Sequence, residues 1–284
     1  NHAVADIWAP EDLFDELNRR TATIEAIVHM GAISATTEPD VDLIMTTNFG
    51  LSRDLWTWCA QSGARLIYAS SAATYGDGEQ GFDDDNRLQA ISALNPLNAY
   101  GYSKKLFDQY AITRAEAGHA PPQWAGLKFF NVYGPNEGHK GSMKSVVAQI
   151  WPKVQAGETV SLFRSHRPDF EDGGQLRDFV FVDDVVDIVA WLLDTPSVCG
   201  VFNAGSGQAR SFSDLARATF EAVGKAPDIA YIDMPDVIRD RYQYYTEARM
   251  DRIREAGWSG QSTPLEEGVR RYVLDYLAKP DPYR

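Results

Sequence analysis

The sequence predicts an α/β protein, a doubly wound parallel sheet with a smaller α/β part beside it, and three observations carry that prediction. Short uninterrupted apolar segments recur along the 284 residues. Stretches of helical apolar spacing separate them. The segments end in small or polar residues, as in His29-Met-Gly-Ala32 and Ser70-Ser71. A strand that reads as a continuous apolar run is buried on both faces, as in parallel sheets, and parallel neighbours need a crossover helix between them.

The elements follow in order. Glu11 to Arg20 reads as a helix, with Pro10 suited to a first turn where a missing N–H costs nothing. Ala26-Ile-Val-His29 is the first strand. Asp42 to Gln61 has helical spacing and stops at Gly63. Arg65-Leu-Ile-Tyr-Ala69 is the second strand and runs out in the two serines. Ala99 to Ala117 is a long helix. Leu127-Lys-Phe-Phe130 is the third strand, broken by Asn131-Val-Tyr-Gly-Pro135.

Beyond Pro135 the pattern loosens. Ser142 to Ala156 reads as helix, Val160 to Phe163 as extended chain, and Arg167 to Gln175 as a polar loop with two glycines. Phe179-Val-Phe-Val182 is a strand, Asp184 to Leu193 a helix, and Val201-Phe-Asn-Ala204 a further strand. Ser211-Phe-Ser-Asp214 is a capping box that opens another helix. The last helix, Pro264 to Leu277, has Pro at its start and acids in its first turn. No repeat and no low-complexity linker divides the chain, so its two parts are expected to interleave.

Composition narrows the function classes. The chain has 27 Lys and Arg against 40 Asp and Glu, a net charge of −13, and its basic residues are scattered. That argues against nucleic acid or an anionic membrane surface as the main partner, while a locally basic pocket for a small anion stays open. No apolar run approaches the roughly 20 residues of a membrane span. The first residues are acidic where a signal peptide is basic and then apolar. Cys59 and Cys199 both sit in apolar surroundings and are expected to be buried thiols in a reducing compartment, hence a cytoplasmic protein. No CxxC, HExxH or Asp-rich loop offers a metal site.

A nucleotide-binding sheet of this type opens with a strand, a Gly-rich turn and a helix whose N-terminus holds pyrophosphate. The chain has no GxGxxG or GxxGxxG and begins with a helix. The first βαβ unit is therefore missing from it, and the expectation is a longer native protein, because the sheet would otherwise expose a parallel edge.

The chemistry concentrates in YGYSK, residues 100–104. Tyr100 and Lys104 lie one turn apart on one helix face. A phenol with an ordinary pKa of about 10 is a poor base at neutral pH, and a neighbouring ammonium is expected to lower it. Such a pair suits proton removal from an alcohol while hydride leaves to a dinucleotide. Ser70 and Ser71 end a parallel strand, where ligands bind in such sheets, and a serine hydroxyl there can hydrogen-bond both substrate oxygen and tyrosine. His29 reads as a satisfied histidine at a strand end.

Taken together, HMGA (29–32), Asn48, YASSAATYG (68–76), YGYSK, NVYGP (131–135) and RDFVFVDD (177–184) resemble the extended short-chain dehydrogenase/reductase family of nucleotide-sugar enzymes, whose fold is Rossmann-like. YASSAATYG, FFNVYGPNEGHKGSM (129–143) and RYQYYTEA (241–248) are similar to its epimerases of ADP-linked heptoses, and the likeness spans essentially the whole chain. The resemblance implies a dinucleotide-binding part, 1–129 plus 181–209, and a substrate-binding part, 130–180 plus 210–284. It implies a catalytic set of Ser71, Tyr100, Lys104 and, as second acid/base, Lys140. Cofactor-lining positions are Gly31, Ala32, Ser34, Asn48, Ala69, Tyr100, Lys104, Val132 and His139. Substrate positions are Ser71, Asn131, Ser142, Gln149, Phe163, Arg177 and Tyr242. The implied reaction is NADP-dependent inversion at C6 of ADP-D-glycero-D-manno-heptose to the L-glycero form, for lipopolysaccharide core synthesis; NAD stays open because the segment that decides between them is absent. A homo-oligomer, often a pentamer in that group, is implied as well.

A second acid/base has a chemical reason. Inversion leaves the hydroxyl in a new place, so one group is poorly placed for both faces of the intermediate ketone. A UDP-hexose 4-epimerase uses the tyrosine alone and has no need of Lys140. A dehydratase would carry an Asp-Glu pair where this chain has Ala72 and Ala73. A non-catalytic dinucleotide-binding scaffold would lose the tyrosine or the lysine, and both are present. For Arg177 the two readings are a clamp on a diphosphate and an ordinary pairing with Asp178.

Overall fold

The computed structural model describes residues 4–239 and 242–283. A 3₁₀ turn at Pro10–Asp12 leads into α1 (Leu13–Arg19), then β1 (Ala26–His29). The next helical stretch is continuous but not uniform. It runs as α2 (Val41–Ile44), a π turn at Met45–Gly50, and α3 (Leu51–Ser62), ended by Gly63 in the left-handed region at φ 81°. β2 (Arg65–Ser71) passes into a 3₁₀ turn, Ala72–Tyr75. Then come α4 (Leu88–Ala93), α5 (Ala99–Glu116), β3 (Trp124–Phe129) and β4 (Asn131–Tyr133). After a 3₁₀ segment, Gly138–Met143, follow α6 (Val146–Ala156), β5 (Val160–Phe163), β6 (Leu176–Phe181), α7 (Val182–Asp194) and β7 (Gly200–Ala204). The chain continues through β8 (Ala209–Ser211), α8 (Phe212–Glu221), β9 (Ile229–Ile232), α9 (Asp236–Arg239), α10 (Asp251–Glu255) and α11 (Leu265–Tyr272).

The strands β1, β2, β3 and β7 form one parallel sheet in the order β1-β2-β3-β7. Side chains alternate across it, as the pleat requires. Leu66 and Tyr68 join Trp56, Phe107 and Ile112 beneath α3 and α5, whereas Ile67 joins Phe202, Ile188 and Leu192 beneath α7. Helices on both faces make this the doubly wound α/β fold the sequence predicts. The other strands pair as β4-β6-β8 and β5-β9, around a third core of Phe179, Phe181, Trp151, Leu215 and Val269. Residues 248–258 depart from expectation: Ala248, Met250, Ile253 and Trp258 belong to the core on the large sheet rather than staying with the substrate-binding part.

Several boundaries also move. β3 starts at Trp124 rather than Leu127, and β6 runs Leu176–Phe181 rather than Phe179 to Val182, with Val182 already in α7. The helix read from Ser142 begins at Val146, capped by the Ser145 side chain. Cys59 is buried, but Cys199 is exposed between buried Val198 and Gly200, because the chain there alternates sides as it enters β7.

Candidate active site

The site is assembled where β2 and α5 meet. The α5 N-terminus is fixed by Asn98, whose Oδ1 accepts from Gly101 N at 2.8 Å. This sets Tyr100 against the end of β2, where it shares a hydrogen bond with Ser71. The Ser71 Oγ also accepts from Ala73 N at 3.1 Å, which orients it. One turn along α5, Lys104 is buried and donates from Nζ to the Ala69 carbonyl at 2.7 Å. Tyr102 points away and is 48% exposed.

The electrostatics correct one expectation. Burial pushes the Tyr100 phenol above its ordinary range, and the Ser71 hydrogen bond recovers only part of that. The lysine does not supply the expected acidifying charge, because its ammonium is engaged by Ala69 and is itself weakened by burial, to a pKa of about 8. Asp108 opposes that loss. His29 is a satisfied strand-end residue: its Nε2 lies 3.0 Å from Ser52 Oγ, and burial with the nearby Lys104 charge brings its pKa to about 4.

A cavity of about 790 Å³ opens in front of Tyr100. Ser71, Ala73, Tyr100, Asn131, Arg177 and Tyr242 are among the residues that line it. Arg177 is only 8% exposed. Among the described residues its guanidinium meets no carboxylate. It donates to its own Leu176 carbonyl at 2.8 Å and lies over the Phe212 and Tyr242 rings at 5.6 and 5.2 Å. Burial lowers its pKa. The alternative pairing with Asp178 is not made. Strand alternation turns Asp178 to the other face, where its carboxylate accepts from the Ser206, Gly207 and Ala248 amides at 2.6, 2.9 and 2.9 Å. A buried cation facing a cavity, with no carboxylate beside it among the described residues, is a place for an anionic ligand.

Other expected residues fall into three groups. Phe163 stands behind Tyr242, ring centroids 6.3 Å apart. Asn48 lies in the π turn and is consumed by the protein: Oδ1 accepts from Ile33 N at 2.8 Å, while Nδ2 donates to Ile33 O at 3.0 Å and Ser103 Oγ at 3.2 Å. It fastens the loop after β1, which holds Gly31, Ala32 and exposed Ser34, and Val132 is half-buried on β4. His139, Lys140 and Gln149 are exposed and do not line the cavity, and the Gln149 amide donates to the Lys144 carbonyl at 2.7 Å. The side chain of Ser142 lies outside the described residues.

Most of the other lining residues were not anticipated, among them the polar Thr36, Thr37, Glu38 and Gln243. The first three follow β1 in the polar run SATTEPD, at the carboxyl end of a parallel strand, and that position was signal enough. Gln243 had none, since its Nε2 reaches the Gly76 carbonyl at 2.5 Å from far along the chain.

The ends of β1 and β2 fit the ribose–nicotinamide end of a dinucleotide. A Cβ on Gly31 would meet nothing within 4 Å, so a flat group can approach backbone there. Lys104 offers three donors and spends one on Ala69, leaving two for hydroxyls. The phosphate-holding Gly-rich turn is not among these residues.

Comparison with known proteins places the chain in a family. The family model described as "NAD dependent epimerase/dehydratase family" matches residues 5–205. An ADP-L-glycero-D-manno-heptose-6-epimerase of Nitratidesulfovibrio vulgaris is 51% identical over 260 residues, 92% of this chain and 79% of that protein. A Fusobacterium nucleatum protein of the same name is 49% identical over 285 residues, 97% of this chain and 85% of its own. The crystal structure of Helicobacter pylori ADP-L-glycero-D-manno-heptose-6-epimerase superposes with a TM-score of 0.72 at 28% identity, covering 96% of this chain and 78% of that one. The chain belongs to the NAD dependent epimerase/dehydratase family, alongside its ADP-L-glycero-D-manno-heptose-6-epimerases.

Proposed function

We propose that the protein inverts C6 of the heptose in ADP-D-glycero-D-manno-heptose, giving the L-glycero form for the lipopolysaccharide core in the cytoplasm, with NADP as cofactor. The observation that carries this reading is one cavity lined by Ser71 and Tyr100 together with the buried Arg177, which meets no carboxylate among the described residues. A diphosphate bound to the guanidinium directs the attached sugar toward the tyrosine. Tyr242 and Phe163 give the nucleotide an aromatic wall. Residues 1–129 plus 181–209 would hold the dinucleotide, and 130–180 plus 210–284 the ADP-sugar, with 248–258 packed back on the sheet.

A nicotinamide dinucleotide, when bound at the ends of β1 and β2, supplies the hydride acceptor and donor. The protein's own part is proton handling. Ser71 holds the C6 oxygen and Tyr100 takes or returns its proton. Lys104 would hold ribose hydroxyls of the cofactor with the donors that its bond to the Ala69 carbonyl leaves free. Lys140 is proposed to act from the opposite face, which requires the Gly138–Met143 segment to fold over the cavity. Gly141, at φ 55°, breaks the helical backbone of that segment and leaves space around it. The preference for NADP and a pentameric assembly rest on the likeness to the heptose epimerases.

The test is turnover of ADP-D-glycero-D-manno-heptose with NADP⁺ or NAD⁺, followed by proton NMR of the sugar. Tyr100→Phe is expected to lose about 10²–10⁴-fold in rate. Lys140→Ala at wild-type rate would reject the second acid/base. Turnover of UDP-galactose in preference to the ADP-heptose would favour a 4-epimerase instead.

A further inference from the structure

Beneath the tyrosine–lysine pair lies a charged cluster that the proposed reaction does not use. Lys128, next to the last residue of β3, donates to Asp108 Oδ2 at 2.7 Å, and the two side chains are 1% and 0% exposed. Asp108 sits one turn below Lys104 on α5. Its carboxylate also receives Ser70 Oγ at 2.7 Å and Tyr68 OH at 3.0 Å from β2. The Lys128 ammonium has a second acceptor, Thr74 Oγ1 at 2.7 Å, and Thr74 in turn donates to the Ser71 carbonyl at 2.8 Å. One closed network therefore joins β3, the peptide that carries Ser71, and the helix that carries Tyr100 and Lys104.

A buried ion pair is a poor way to gain stability, since apolar residues of the same volume usually do as well. Its worth lies in geometry and field. We propose that Lys128 and Asp108 are a positioning pair for the reaction centre, fixing Ser71 against Tyr100 and setting the field in which Lys104 works. This rests on the epimerase reading of Tyr100 and Lys104.

The field can be traced group by group. Asp108 and Tyr100 face Lys104 from its own helix, and His29 faces it from β1. Lys128 approaches from β3 on the far side of Asp108. Burial pulls Lys104 down to about 8, and Asp108 is the charge that resists. Without Asp108 the lysine would be largely neutral at mildly alkaline pH and could no longer serve as a cation.

The experiment measures Lys104 directly, by ¹³Cε NMR of the full chain labelled at lysine and assigned with Lys104→Met, alongside pH–rate profiles. Asp108→Asn removes the anion. An opposite charge at this range is worth about one pKa unit or more, so activity at pH 8 is expected to fall about five-fold beyond any loss at pH 6. Asp108→Asn leaves Lys128 buried without its partner and can fail to fold. The double variant Asp108→Asn with Lys128→Met leaves neither charge, and the Lys104 titration is expected to move to lower pH there too, by less. A Lys104 midpoint unchanged in the double variant overturns the proposal, as does an equal loss of activity at pH 6 and pH 8 in Asp108→Asn. Absence of epimerisation in the wild type would sink the epimerase reading alone, because the NMR titration needs no substrate.

Discussion

Gly101 stands between the two tyrosines of YGYSK, and the structure says why. A Cβ built there would lie 2.6 Å from the Ala73 carbonyl oxygen, 3.1 Å from its carbon and 3.1 Å from Pro96 Cβ. Both neighbours are stiff, one being backbone of the turn after Ser71 and the other a proline. Gly101→Ala must open the contact to about 3.4 Å, a displacement of about 0.8 Å between α5 and that turn. In an open helix the same change would stabilise by about 1 kcal/mol. Here overpacking is expected to cost about 1–3 kcal/mol instead. The larger effect is on geometry: Tyr100 is the adjacent residue, so its hydrogen bond to Ser71 stretches. Misplacement of about 1 Å can cost about 10²-fold in rate, so kcat is expected to fall about 10–100-fold with KM for the ADP-sugar little changed. Steady-state kinetics and urea unfolding of wild type and variant check this. A variant with unchanged kcat and equal or higher stability would refute the argument that α5 is seated on the Ala73 carbonyl.

Other expectations follow from single residues. Arg177→Lys keeps a charge but loses the planar fork, so KM for the ADP-sugar should rise about 10-fold or more with kcat nearly constant; a fall in kcat alone would mean that Arg177 does not hold the diphosphate. Asn48→Ala orphans the Ile33 amide and carbonyl and should cost about 1–3 kcal/mol, with faster hydrogen exchange at the Ile33 amide as the direct readout. Asp84 is buried while accepting from Asn203 N at 2.7 Å, and burial lifts its pKa to about 6 from an ordinary 3.8. A carboxyl raised on folding stabilises at low pH, and that contribution is lost as pH rises through about 6. Asp84→Asn should therefore melt higher than wild type at pH 8 and lose that advantage by pH 4; the same difference at both values would disprove the charge argument.

The parallel sheet was legible because β1, β2 and β7 all read as apolar runs, β2 and β7 being almost wholly buried. What blurred the other boundaries was function and close packing. Gly126 looks like an interruption, yet it belongs inside β3 because a Cβ there would strike the Tyr68 ring at 2.4 Å. Arg177 and Asp178 look like loop and are strand: one serves the cavity and the other caps amides behind it. Tyr100, Lys104 and Ser71 could be found because helix spacing and strand ends are local rules. Thr36 to Glu38 were signalled by the same strand-end rule, whereas Gln243 joins Tyr100 in lining the cavity only through the tertiary fold. The phenol shift was misjudged for the same reason: the spacing of Lys104 was visible, but neither its tie to Ala69 nor its burial was.

The passage from β3 to β4 has a consequence of its own. Phe129 pairs with Ser71, Asn131 pairs with Phe179 in the strand of Arg177, and buried Phe130 is all that separates them. Two residues of extended chain span about 7 Å. In the proposed reaction that short link would fix the spacing between the strand end that carries Ser71 and the strand that carries Arg177, with no slack to take up. On that reading, a residue inserted between Phe129 and Asn131 would shift one strand against the other by about 3.5 Å and part the two halves of the cavity.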